Sequence, residues 1–564
     1  MRWIVKPEPD MDATTALASE LGVDPLVASL LIQREIRTFE EARLFFRPSL
    51  EHLHDPFLMK DMDAAVERIE RALSGQERIL VYGDYDVDGT TAVALMTDYL
   101  REQKAEVASY IPDRYAEGYG LSFQGIDFAH DNGIGLIIAL DCGVKALQQA
   151  TYAREKGIDL IVCDHHRPGP VLPEAVAVLD PKRGDCPYPF KELCGCGVGF
   201  KLLQALQARK GLGVETLLPY LDLVATAIGA DIVPITGENR VLVHFGLQVI
   251  NTEPRPGLRA LMQGVQRDRF EVSDLVFQLA PRINAAGRMQ HGEEAVRLLT
   301  ETDFGKALAQ AARIEALNTE RRDTEQAITE EALAMIREAG EGGRMSTVVY
   351  RENWHKGVIG IVASRLIESY YRPTLVFTRS GDKLAASARS VRGFDLYEAL
   401  EACSDCLVQF GGHTYAAGLT LEEARYEEFK ARFEEQVSRT MDPDLLTPEI
   451  RIDMPIRLDQ IDARFVRILN QFAPFGPGNQ TPAFLVGPLR DTGYARTVGE
   501  TGAHLKLAVT QESAGPIGGI GFGLGEKLKE IRERHPFRAV ISVEENSWQG
   551  RTRIQLKFRD LKGE

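Results

Sequence analysis

RILVYGDYDVDGTTAVALMTDYL, residues 78–100, decides how the rest of the chain is read. RILVYG is a short apolar run of the kind that forms a strand buried on both faces, and it stops at a polar loop. The loop places Asp84, Asp86 and Asp88 at alternate positions before Gly89, and TTAVALMTDYL (90–100) then has helical periodicity. The same order recurs downstream. GLIIAL (135–140) ends at Asp141, and DLIVC (159–163) ends at Asp164, His165 and His166. EVASYI (106–111) reads as a further strand. Helices are expected near 145–156, 200–208 and 214–229, the last leading to Asp231 in GADIVP (229–234). Such strand–helix units predict a parallel sheet. All its strands have their C-terminal edges on one side, so these acids and histidines should converge at one crevice.

Five or six carboxylates cannot share a crevice as bare anions, because repulsion would push protons onto some of them and destabilise the fold. Divalent cations resolve this. Oxygen ligands with one or two imidazoles suit Mn²⁺ or Mg²⁺, and the imidazole tilts the preference toward Mn²⁺. Two cations about 3.5–4 Å apart need a bridging carboxylate, and Asp141, alone at its strand end, is the candidate. Taken singly, each aspartate also reads as a turn or helix-cap residue, Asp88 before Gly89 above all. The conjunction of motifs favours a dinuclear site.

Working outward, residues 1–70 read as a helical segment, and 71–300 as the strand–helix domain. Residues 301–343 form one long connecting helix, on the order of 50 Å at 1.5 Å per residue. Residues 344–443 read as a second α/β domain, with strands in STVVYR (346–351) and PTLVFT (373–378), and helices at 357–371 and 422–441. From 444 to 564, short alternating runs such as AHLKLAV (503–509) and TRIQLKFRD (552–560) predict a small β-barrel or sandwich.

Composition sets limits on function. The 564 residues are 44% hydrophobic and 26% charged, which excludes a disordered or fibrous chain and supports several globular domains. A net charge of −16 excludes a polybasic, non-specific nucleic-acid binder. Residues 451–564 nevertheless hold 17 basic against 13 acidic residues, a sign that suits a strand-binding module. The seven cysteines are sparse and odd in number, as in a reducing compartment. Neither Cys186, Cys194 and Cys196 nor Cys403 and Cys406 supply a four-ligand zinc set, so inert buried thiols are expected. No signal-peptide pattern and no 18-residue apolar run occur, so a cytoplasmic protein with no membrane span is expected. No GxxxxGK[ST] motif points to ATP.

DYDVDG followed by DHH (164–166) resembles the DHH phosphoesterase superfamily. GADIVP, PRINAAGRM (281–289), WHKGVIGIVASRL (354–366), QFGGHTYAAG (409–418) and PFGPGNQTPAF (474–484) are similar, in order, to segments of its long exonuclease branch. The resemblance covers nearly all the chain from about residue 60. It implies a catalytic DHH domain, a DHHA1 domain over 344–443 and an OB-like nucleic-acid-binding domain over 444–564. It also implies two cations. Asp84 and Asp88 would hold one, with Asp141 bridging; Asp86, His165 and Asp231 would hold the other. Leu80 stands where shorter members carry a histidine ligand, so Asp88 substitutes. Asp164 would orient a neighbour, and His166 would contact the scissile phosphate. Arg282 and Arg288, flanking a Gly/Ala turn in INAAG, would line the terminal nucleotide with Ser387, Arg389 and His413. Surface salt bridges and a turn histidine are an equally open reading of these five. Phe472, Phe475, Phe484 and Trp548 are candidates for base stacking, more of them for core.

The activity implied is 5′→3′ exonuclease action specific for single-stranded DNA, releasing mononucleotides by two-metal phosphodiester hydrolysis in DNA repair and recombination. A single-strand-binding protein and a helicase are the partners the resemblance suggests, and a monomer is expected. A short-oligonucleotide or dinucleotide phosphoesterase and a catalytically inactive scaffold remain as alternatives.

Overall fold

The computed structural model describes residues 1–531, 535–548 and 551–563. Its first sheet is five-stranded and wholly parallel, in the spatial order Val107–Tyr110, Ile79–Gly83, Leu136–Leu140, Asp159–Cys163, Ala177–Leu179. Every residue of ILVYG and LIIAL is buried. Alternation explains how one strand serves two faces. Ile79 and Val81 pack with Val93 and Leu95 of helix Val87–Glu102, whereas Leu80 and Tyr82 pack with Ile126 and Ala150 of the helices on the other face. The chain starts mid-sheet, moves out to Val107–Tyr110, then returns to the other side of its first strand. The order therefore reverses between Ile79–Gly83 and Leu136–Leu140, and a crevice opens at their C-terminal ends.

Two sequence expectations shift here. The helix expected over 214–229 is a 3₁₀ turn, Val214–Tyr220, followed by helix Leu221–Ala230, because Pro219 cannot sit in an α-helix interior. INAAG is no turn: it lies in helix Ala280–Met289, with Pro281 in the first turn, where its missing N–H costs nothing.

Helix Phe304–Glu338 runs 35 residues from its Asp303 cap. Its buried stripe begins with Ala307, Ala311 and Ile314 in the first core and ends with Ile328, Ala332 and Ile336 beside the second sheet. That sheet is mixed, in the order Gln409–His413, Ala416–Leu421, Lys383–Arg389, Thr374–Ser380, Thr347–Tyr350, and only its last pair is parallel.

Strands Phe484–Asp491, Phe537–Trp548, Arg551–Gly563, Ala514–Gly521 and His504–Gln511 close into a five-stranded barrel through the pairing of the first with the last. Phe472 and Phe484 are fully buried in its core and Phe475 is half-buried; the side chain of Trp548 lies outside the described residues. The N-terminal segment is divided. Strand Arg2–Val5 pairs in parallel with Glu449–Ile452, and Leu17, Val27, Leu30 and Ala42 share a core with Phe465, Leu469 and the barrel. Helix Met62–Ser74 instead packs in the first domain. All seven cysteines are buried and unpaired. No single helix among the described residues is long and apolar enough to cross a membrane.

Candidate metal centre

The crevice is assembled from backbone geometry first. Asp86 caps helix Val87–Glu102, accepting the Gly89 N–H at 3.0 Å. Asp88 turns to a different helix, Gly195–Arg209. Its carboxylate accepts the Gly195 N–H at 2.6 Å and the Cys196 N–H at 2.7 Å, so the positive end of that helix holds it. Asp141 sits at φ +59°, a left-handed conformation that Asp adopts more readily than most residues. Gly195 is required beside it, since a Cβ there would lie 2.5 Å from the Asp141 Cβ.

Asp164 accepts hydrogen bonds from Val144 N–H (2.9 Å), His165 N–H (2.8 Å) and His166 N–H (3.1 Å), and its Oδ1 lies 2.8 Å from His166 Nδ1. It thereby fixes both histidines. His165 Nε2 lies 3.2 Å from Asp141 Oδ1, 3.6 Å from Asp231 Oδ2 and 3.7 Å from Asp88 Oδ2. None of these contacts has hydrogen-bond geometry. Both ring nitrogens of His165, Oδ1 of Asp84 and Oδ1 of Asp141 are buried without a hydrogen-bond partner. Buried polar atoms are normally satisfied, so such a set of orphans fits a cation that collects them.

Two groups have ligand atoms close enough to share one ion: Asp88, His165 and Asp231, and Asp141, His165 and His166. The division expected from sequence resemblance put Asp88 with Asp84. In the structure its carboxylate, held by the Gly195 and Cys196 N–H groups, lies within reach of an ion shared with His165 and Asp231.

The electrostatics agree with the geometry. Burial, then the Asp88, Asp86, Asp231 and Asp84 charges, raise the Asp141 pKa well above the carboxylate range. Burial and Asp86 do the same to Asp84. Burial raises Asp88, and burial with Asp88 and Asp86 pushes Asp231 up to about 9. Asp164 behaves oppositely. Burial opposes its ionisation, yet the His166 imidazole and backbone donors hold its pKa down at about 2. Burial lowers His165, while Asp164 outweighs burial and raises His166.

A basic wall faces this acidic one. Arg288 donates to the Gly357 carbonyl at 3.1 Å, and Arg389 to the Ala388 carbonyl at 2.8 Å. Burial, then Arg114, Arg389 and Arg321, push Arg288 down to about 10; burial and Arg114 lower Arg389. Among the described residues no carboxylate pairs with Arg114, Arg288 or Arg389. Ser387 lies two residues from Arg389 on the same strand face, and a Cβ on Gly360 would meet both side chains, at 3.3 and 3.1 Å. Arg282 stands apart, since its Nε donates to Glu315 at 2.6 Å and its Nη1 to the Gln278 carbonyl at 2.5 Å. His413 is exposed on the hairpin of the second sheet; burial lowers its pKa, as do Lys145, His166 and Lys182 across the cleft.

Several residues here escaped the sequence reading. The Tyr119 hydroxyl lies 3.2 Å from His166 Nε2 and 3.2 Å from the Asp141 carbonyl. The Arg114 guanidinium lies 4.6 Å from the centre of the Tyr85 ring, and Tyr115 donates to the Arg288 carbonyl at 2.5 Å. All but Tyr85 come from DRYAEGYG (113–120), which follows the strand Val107–Tyr110; its arginine and tyrosines at a strand end were the available signal. Gly287 brings helix Ala280–Met289 onto the acidic loop, where a Cβ would lie 2.6 Å from the Tyr85 carbonyl oxygen.

Comparison with known proteins follows the same division of the chain. Residues 78–228 match the DHH family, N-terminal domain; 342–439 match the DHHA1 domain; 452–560 match the RecJ OB domain. The single-stranded-DNA-specific exonuclease RecJ of Bacillus subtilis is 39% identical over 99% of this chain and 70% of its own length. The structure of Thermus thermophilus RecJ in complex with Mn²⁺ superposes with a TM-score of 0.85 at 30% identity, covering 100% of this chain and 80% of that one. Its complex with Mg²⁺ superposes at 0.77 with 28% identity, covering 100% and 78%. Domain order, full-length identity and a crevice built for divalent cations together place this chain in the RecJ family of DHH proteins.

Proposed function

We propose that this protein is a metal-dependent exonuclease that degrades single-stranded DNA from its 5′ end to mononucleotides. The observation that carries the proposal is the cleft itself, where carboxylates and His165 with orphaned ligand atoms on one wall face arginines that lack a carboxylate partner on the other. Mn²⁺ or Mg²⁺ would be held by Asp84, Asp86, Asp88, Asp141, His165 and Asp231, with Asp141 standing between the groups. When bound, the cations supply Lewis acidity and activate the water that attacks phosphorus.

The chain's own residues do the rest. Asp164 holds His166 by its Nδ1, leaving Nε2 to reach the scissile phosphate beside the Tyr119 hydroxyl. Asp164 also favours the imidazolium form, which stabilises charge growing on the phosphoryl oxygens. Arg288, Arg389 and Ser387 receive a terminal 5′-phosphate, whose second negative charge is absent from an internal phosphodiester. That difference sets the direction of degradation. Arg114 and His413 border the same space, and Arg282 supports the wall through Glu315. The barrel over 444–564 guides the strand toward the cleft between the domains at 71–300 and 344–443.

The test uses a 5′-phosphorylated single strand labelled at its 3′ end, incubated with Mn²⁺, Mg²⁺ or EDTA. A ladder that shortens from the 5′ end, absent in EDTA and absent on a blunt duplex, is the expected result. An intact strand in both metals, or equal cutting of duplex, overturns it.

A further inference from the structure

Arg240, on helix Gly237–Thr252, is 4% exposed and has no carboxylate partner among the described residues. Its guanidinium is spent on backbone carbonyls. Nε donates to Phe45 (2.9 Å), Nη1 to Phe472 (3.0 Å) and Pro474 (3.3 Å), and Nη2 to Ala473 (2.9 Å) and Gln471 (3.4 Å). The group also lies 3.8 Å from the centre of the Phe45 ring. Phe45 lies in the last turn of helix Phe39–Phe46, and Gln471 ends helix Ala463–Gln471. Two helix C-termini, with their unpaired carbonyls and negative dipole ends, thus converge on one cation.

The segment Arg240 grips is the approach to the barrel, and its other side touches the loop that follows Asp231. Ile235 N–H donates to the Pro477 carbonyl at 2.7 Å, and a Cβ on Gly476 would lie 2.5 Å from Ile235 Cγ1. Asn239, beside Arg240, donates to the carbonyls of Pro234 (3.0 Å) and Glu192 (2.6 Å). Ile232, directly after Asp231, is held at φ +61°, a strained conformation for a β-branched residue that persists only where its surroundings impose it. Its side chain is largely exposed, so the hold comes from the backbone bonds of Pro234 and Ile235 rather than from packing. A cavity of about 360 Å³ opens at this junction, lined by Phe45, Thr236, Arg240 and Asn479 among others.

We infer that Arg240 is a positioning residue of the metal centre: by gripping residues 471–474 it fixes the 232–236 loop, and through that loop it sets where the Asp231 carboxylate stands. The inference rests on the reading of Asp231 as a metal ligand given above. It makes the barrel's attachment and the metal centre one mechanical unit.

The test is direct Mn²⁺ binding to the full-length protein, followed by the electron paramagnetic resonance of free Mn²⁺, with melting temperature recorded alongside. Arg240→Met removes the grip. Gly476→Ala presses on Ile235 from the linker side, and it carries the test alone if Arg240→Met does not fold. Arg559→Met is the control, because Arg559 bonds the Thr481 carbonyl (3.0 Å) and Ser542 (2.8 Å) in the same domain, beyond the 471–476 segment that Arg240 and Gly476 act through. The expected result is Mn²⁺ affinity about tenfold weaker in Arg240→Met and Gly476→Ala, the effect typical of losing a group that orients a ligand. Arg559→Met should lower the melting temperature and leave affinity within about twofold of wild type, well below that tenfold effect. Wild-type affinity in both test variants, or equal weakening in all three, overturns the role of Arg240. Failure of the wild type to bind Mn²⁺ removes the metal centre itself, and the role with it.

Discussion

The two walls of the cleft are charged in opposite senses, and neither is neutralised by its own side chains. On the first domain Asp88, Asp141 and Asp231 are packed around His165, with Asp84 close enough to raise the Asp141 pKa, and among the described residues no arginine or lysine is ion-paired to any of the four. On the facing side Arg114, Arg288 and Arg389 crowd one another, and among the described residues no carboxylate is paired to them. Elsewhere in this protein buried charge is met locally: Asp222 meets Arg255 at 3.0 Å, Lys201 meets Glu238 at 3.1 Å, and Arg240 is satisfied by five backbone carbonyls. The contrast separates charge that holds the fold from charge reserved for a ligand. On the proposed reading the acidic wall would hold a cation and the basic wall a phosphate, and cutting a phosphodiester needs both at once.

Breaking the acidic wall should have the largest effect. Asp141→Asn removes the charge and keeps a side chain that tolerates the left-handed backbone. Turnover of a 5′-phosphorylated strand in Mn²⁺ should fall on the order of 10³-fold, as when a buried electrostatic element of transition-state stabilisation is lost. Melting in EDTA should be unchanged or higher, since a repelling carboxylate has gone. Turnover above a tenth of wild type would take Asp141 out of the centre.

Breaking the basic wall comes next. Arg288→Met should lower kcat/KM for a 5′-phosphorylated strand by about 10–100-fold, the size of a hydrogen bond to a charged group. A 5′-hydroxyl strand should lose far less. Equal losses on the two substrates would mean that Arg288 does not read the terminal phosphate.

The acidic wall also makes a statement about pH. The folded-state pKa values of Asp84, Asp88, Asp141 and Asp231 lie above the unfolded carboxylate value, so between about pH 4 and 9 the metal-free fold binds more protons than the unfolded chain. Stability from this cluster is full below the unfolded value and is lost as pH rises through the folded ones. The EDTA-treated protein should therefore melt lower at pH 8.5 than at pH 6, and Mn²⁺ should remove that slope. A metal-free melting temperature that rises over the same interval would show that the cluster is not strained.

How much of this was legible in the sequence depends on how local the signal is. The acids at strand ends were visible because a buried parallel strand is a continuous apolar run, and the residue that ends it marks the sheet edge. Alternating runs left a small barrel or a sandwich open, because they mark strands buried on one face only, and closure rests on the distant pairing of Phe484–Asp491 with His504–Gln511. The grouping of Asp88 was hidden, since it depends on Gly195 and Cys196 N–H groups more than a hundred residues away. Strand Arg2–Val5 was hidden as well: four residues carry little periodicity, and their partner is Glu449–Ile452. INAAG misled because Gly and Ala suit turns, while Pro281 suits the first turn of a helix equally well and the packing of Gly287 against Tyr85 favours the helix.

The smallest effect gives the sharpest form of the comparison. Arg282 and Arg288 lie six residues apart on one helix, and the sequence gives no reason to treat them differently. Their partners do. Arg282 is ion-paired with Glu315 on the long helix and bonded to the Gln278 carbonyl in the turn before its own helix, so its charge is already committed. Arg288 has only a carbonyl. If unbalanced charge marks the ligand site, Arg282→Met should leave kcat/KM within about threefold, a sub-kcal/mol change, with the same ratio on 5′-phosphate and 5′-hydroxyl strands. Its cost should appear in stability instead, at about 1 kcal/mol for a partly exposed ion pair and one hydrogen bond. An Arg282→Met variant that loses 5′-phosphate preference as Arg288→Met does would show that pairing with Glu315 does not withdraw an arginine from the substrate, and that ion-pair balance is the wrong criterion for reading this cleft.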